Sequence, residues 1–68
     1  MAMVKQFTTS KTRLTIVVEK MLNGSYAAYE VKTRGKGGND LILHSWCLNW
    51  LIETLHNRYH DETLISEV

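Results

Sequence analysis

Apolar and polar positions alternate with a period of two through the first half of the chain, and change to a helical spacing after Ser45. The stretch "TRLTIVVEKMLNGSYAAYEVKTR" predicts two antiparallel strands joined at Asn23-Gly24, the strongest short hairpin signal, because both central residues of a type I′ turn take positive φ. A two-residue turn there sets Leu22 opposite Ser25, Val18 opposite Tyr29, Ile16 opposite Val31 and Leu14 opposite Thr33. These side chains then share one face. Arg13, Thr15, Val17, Glu19 and Met21 take the other, with Tyr26, Ala28, Glu30, Lys32 and Arg34. "MVKQFTT" precedes the hairpin as an edge strand, and "DLIL" follows the glycine loop "GKGGN" as a fourth strand.

The segment from His44 to His60 reads as a helix with Ser45 as N-cap, where a hydroxyl accepts from a free first-turn amide. Leu48, Leu51, Ile52, Leu55 and Tyr59 form one stripe at 100° per residue and are expected to cover the inner face of the sheet. Trp46 and Trp50, four residues apart, fall on the opposite side, in a row continued by Glu53 and Asn57. The expected architecture is a single α+β domain over 1–68. It has a four-stranded antiparallel sheet (about 3–43), one C-terminal helix packed on one face (about 45–60) and a tail (61–68) that extends the helix, frays or adds to an edge.

Two indoles pointing away from a core need cover from elsewhere, because one sheet shields one side of a helix. The expectation is a homodimer, or a partner protein, meeting Trp46, Trp50, Glu53 and Asn57; the alternative is that the N-terminal strand or the tail folds over the rings. Size favours an outside support. A chain of 68 residues buries only about 60% of its unfolded surface and nets roughly 3–5 kcal/mol from one small core. Cys47 is the single cysteine, which rules out an internal disulfide and a thiolate cluster. A lone thiol, the lack of a signal-like N-terminus and the lack of a membrane-length apolar run point to a soluble, cytoplasmic protein.

Charge changes the picture more than composition does. Residues 1–37 carry seven cations against Glu19 and Glu30, a net of +5, while residues 38–68 carry Arg58 against five acids, a net of −4. A basic half beside an acidic half points to an anionic partner or to ordinary solubilising charge. Arg13, Lys32 and Arg34 on the outer sheet face, with Lys11 and Lys36 nearby and Tyr26 as a stacking platform, resemble a single-stranded nucleic-acid groove in residue type.

Other constellations are weaker. His56 and His60 have a metal-ligand spacing with Glu53 one turn earlier, yet Asn57 stands where a metalloprotease needs glutamate. Cys47 beside His44 lacks a group to orient the pair. "RGKGGND" lacks the phosphate-loop spacing, and the "SEV" ending matches carboxylate capture only over three residues. No enzyme, cofactor or metal is expected.

At "GKGGNDLILHSWCLNWLIETL" the chain resembles the positive cofactor four family of transcriptional coactivators and its bacterial and phage relatives. The family shows a Lys-Gly, a short strand, then a helix whose apolar positions match Leu43, Leu48, Leu51 and Leu55 here. The family's helix tryptophan falls on Leu48, and Trp46 and Trp50 stand at its polar positions. The resemblance implies a dimer binding single-stranded DNA along basic sheets in transcription regulation. The competing expectation is a small phage or mobile-element type regulator that inhibits a host protein through the Trp46/Trp50 helix face.

Overall fold

The computed structural model describes residues 2–31 and 40–67. It is an α+β fold: five antiparallel strands, with one helix on one face of the sheet. Strands β1 (Ala2–Thr9), β2 (Thr15–Lys20), β3 (Tyr26–Val31) and β4 (Asp40–Ser45) run in order, followed by α1 (Leu48–Arg58) and β5 (Leu64–Ser66). The spatial order is β4-β3-β2-β1-β5. The tail therefore adds a fifth strand, which makes β1 an interior strand rather than an edge.

The hairpin forms where Asn23-Gly24 predicts it, but its register differs by one residue. Ile16 pairs with Glu30, Val18 with Ala28 and Lys20 with Tyr26. The loop holds three residues, Leu22, Asn23 and Gly24, closed by the Met21 amide on Ser25 O (2.7 Å) and the Gly24 amide on Met21 O (3.0 Å). Gly24 alone takes the left-handed conformation, at φ +90°, which costs an L residue about 1–2 kcal/mol. Asn23 instead accepts the Ser25 amide through Oδ1 at 3.0 Å. A one-residue slip turns every side chain of a strand over. So Ala28 and Tyr26 face the helix, while Tyr29 and Val31 join Val17 on the outer face.

The core is Phe7, Ile16, Val18, Ala28, Leu51, Leu55 and Leu64, with Leu14, Leu48, Ile52 and Tyr59 packed around it. The predicted helix stripe thus faces the sheet. Ala28 is small enough to let α1 come close over β3. A bulge in β4 leaves Ile42 without a cross-strand partner between Leu43, opposite Ala28, and Leu41, opposite Tyr29. Both Ile42 and Leu43 consequently pack on the core, which strict alternation forbids. A second bulge, at Val4, puts Met3 opposite Glu19 and Lys5 opposite Val18.

The helix starts later than the sequence pattern predicts. Its N-cap is Cys47, and the Ser45 hydroxyl accepts the Cys47 amide at 3.0 Å, outside the helix. Trp46 therefore sits in the link between β4 and α1 rather than on the helix. At the far end the Tyr59 amide closes on Leu55 O. Burial raises the Tyr59 phenol above its ordinary pKa, opposed by the Arg58 side chain.

Strand β5 is fastened by polar contacts. The Ser10 amide donates to Thr63 O and the Thr63 amide to Ser10 Oγ, both at 2.9 Å. The Glu62 carboxylate accepts the amides of Thr12 and Lys11, which hold its pKa below the ordinary value. A carboxyl with a lowered folded pKa supplies stability that is present above its unfolded pKa of about 4.3 and is lost as pH falls through the folded value. Amide protection at Ser10 and at Glu67, which donates to Gln6 O, relative to the intrinsic exchange rate at each pH, should therefore fall in acid before protection in β2. Uniform loss of protection across the sheet would count against this fastening.

Candidate interaction surfaces

The two indoles are the largest exposed apolar groups beside the helix: Trp46 is 67% and Trp50 52% exposed, whereas Leu51 and Leu55 are fully buried. Trp46 rests edge-on against the His44 ring, centroids 6.2 Å apart at 78°. His44 is held in turn, with Nε2 2.8 Å from Ser25 Oγ, and Ser25 donates its proton to Asn23 Oδ1 at 2.6 Å. With the Ser25 proton so directed, His44 Nε2 is the donor to Ser25. That order is the reverse of the one in which a histidine activates a serine. Ser25 is also fully buried. The His44–Ser25–Asn23 chain is therefore a brace for the Trp46 link, and it commits His44 away from Cys47, which is exposed.

Trp50 projects from α1 on the side away from the sheet. Glu53 and Asn57 are exposed and line a groove of about 450 Å³ with Lys5, Leu48, Asn49, Ile52 and His56. Leu48 and Ile52 form its apolar floor. Lys5 is on this side by plain alternation, two residues before the buried Phe7 and opposite Val18, whereas the bulge at Val4 turns Met3 to the outer face. His56 packs edge-on against Phe7, centroids 6.2 Å apart. Among the described residues no three His, Cys, Asp or Glu side chains come together to hold an ion.

The basic set divides. Lys11 and Arg13 are exposed in the β1–β2 turn, with Arg13 at φ +59°. Tyr26 packs against the core on the helix side and is not on the outer face. Lys32, Arg34 and Lys36 lie outside the described residues, as does the glycine loop. Pairing places Gln6, Thr8, Thr15, Val17, Glu19, Tyr29, Leu41 and Ile65 on the outer face. The described part of that face carries no lysine or arginine, and Leu41 and Ile65 are exposed there.

The arrangement defines a small α+β domain with one exposed indole on the helix, a second in the link before it, and a cationic turn at one end of the sheet. Compared with protein-family models, curated proteins and solved structures, the chain matches none. Among the described residues no helix is long and apolar enough to cross a membrane.

Proposed function

We infer that the protein is a small non-enzymatic binding module that pairs with a second copy of itself and docks a target protein through the Trp46/Trp50 side. The carrying observation is the exposure of both indoles beside a helix whose opposite stripe buries Leu51 and Leu55 completely. A tryptophan offers 150–250 Å². Burying the exposed half of one at ~25 cal/mol per Å² supplies roughly 2–3 kcal/mol before ordering costs. That is comparable with the whole stability of a domain of this size. In an antiparallel pair of helices centred between Glu53 and Thr54, Trp50 of one copy lies across from Asn57 of the other, beside the groove floored by Leu48 and Ile52. Sedimentation equilibrium over a range of concentrations tests the reading: mass should rise towards twice the monomer value, and a constant monomer mass rejects self-association.

A second reading, single-stranded nucleic-acid binding, is favoured by the placement of Lys11 and Arg13. The β1–β2 turn lies at the end of the sheet where Thr15 pairs with Val31, the last described residue before Lys32, Arg34 and Lys36 in the chain. The family resemblance points the same way. In a gel shift with single-stranded DNA, affinity should fall steeply with salt. Lys11→Glu with Arg13→Glu should reduce the log–log salt slope by roughly 1.4, two phosphate contacts at about 0.7 each. Binding that ignores salt, or none at all, removes this reading.

A further inference from the structure

The β1–β2 turn aims several donors at one point. The Lys11 and Thr12 amides donate to Glu62 Oε1 at 2.8 and 3.0 Å, and the Thr12 hydroxyl donates to Oε2 at 3.0 Å. The two successive amides share one carboxylate oxygen, and the residue that follows them, Arg13, is left-handed at φ +59°. The donors are braced without help from Glu62. Thr9 Oγ1, on a fully buried residue, accepts the Leu14 amide at 2.7 Å and lies 2.8 Å from Thr12 Oγ1. The Thr9 amide also donates to Leu14 O at 2.9 Å. The hydrogen-bond chain therefore runs from Leu14 N–H through Thr9 and Thr12 to the carboxylate, each member polarising the next.

Two features distinguish this from a plain turn cap. Charge is unbalanced: one carboxylate occupies a turn that carries the exposed cations Lys11 and Arg13, which leaves room for a second negative charge. The occupant is also followed by a short strand: β5 has three residues and, among the described residues, adds only Leu64 to the core. We propose that the β1–β2 turn is an oxyanion-binding site for a dianionic phosphate group, filled at rest by Glu62 as a tethered surrogate. An intramolecular ligand acts at millimolar or higher effective concentration, so it masks the site from free phosphate. Binding an external phosphate displaces Glu62 and loosens β5 from β1.

The test is a titration of the isotopically labelled full chain with inorganic phosphate at neutral pH and constant ionic strength, following the Lys11 and Thr12 amides. In Glu62→Ala these two amides should shift saturably, and Thr12→Ala in the same background should abolish the Lys11 response. The native chain should need about tenfold more phosphate or greater, because its apparent affinity is reduced by the fraction of vacant site. Phosphoserine should act like inorganic phosphate; a short oligodeoxynucleotide, whose linkages are monoanionic, should act more weakly. A folded Glu62→Ala chain that does not respond, one that responds no better than the native chain, or one for which acetate equals phosphate overturns the proposal. Should Glu62→Ala fail to fold, Glu62→Gln decides. Its neutral amide is a poorer occupant, so its phosphate midpoint should fall below that of the native chain, and an unchanged midpoint overturns the proposal.

Discussion

Leu51→Ala should leave the chain largely unfolded in water at room temperature. Leu51 is fully buried under α1, in one cluster with Ile16, Val18 and Ala28. Truncating a buried leucine costs about 2–5 kcal/mol, the lost transfer energy plus the cavity left behind. A single core of this size nets only roughly 3–5 kcal/mol, so one substitution consumes most of the reserve. Leu22→Ala is the matched control: the same chemical change at a side chain 93% exposed at the hairpin tip should stay within about 0.5 kcal/mol. Urea denaturation followed by circular dichroism reads both. A Leu51→Ala midpoint close to that of Leu22→Ala would show that α1 does not seal the core as described.

Trp50→Ala should separate the two copies while sparing each one's fold. A twofold pair loses two indoles per substitution. At roughly 2–3 kcal/mol each, that is about 4–6 kcal/mol, or a thousandfold or more in the dissociation constant at 1.4 kcal/mol per decade. The ring makes no part of the buried cluster, so circular dichroism of the dilute variant should match that of the dilute native chain. Dimerisation stabilises the folded state by mass action, and the native melting temperature should therefore rise with concentration, while that of the variant should not. Dimers that survive Trp50→Ala undiminished would move the contact to another surface, and Leu41 and Ile65 on the outer sheet face mark where to look.

The helix was legible because its signal is redundant. Five apolar positions agree on one direction, and two of them, Leu51 and Leu55, prove fully buried. The hairpin was legible as an element but not in its pairing. Asn-Gly serves a two-residue turn, and it serves equally as the last two residues of a three-residue turn with glycine left-handed. The alternation could not arbitrate. "YAAYEV" presents a tyrosine on either face, so Tyr26 with Ala28 and Tyr29 with Val31 are both acceptable inner sets. The choice fell to the geometry of the tip and to the close approach that Ala28 allows.

The surfaces follow the same division. Trp46 and Trp50 stood out because large apolar side chains off the core stripe are conspicuous. Lys5 reaches the groove by ordinary alternation with Phe7, and the bulge at Val4, which leaves no periodic trace, turns Met3 to the other face. Glu62 reads as one acid among five in an acidic half. Its partners, Lys11 and Thr12, lie about fifty residues away along the chain, and the contact exists only because a three-residue strand returns to β1.

The displaced pairing at Ile42 also bears on how molecules of this protein can accumulate. One border of the sheet is kinked by that extra residue, and the other is closed by a strand of three residues. Neither offers the long flat rim that recruits neighbouring chains into ribbons. Growth by lateral stacking is thereby discouraged, and crowding at high concentration should end in discrete assemblies rather than filaments.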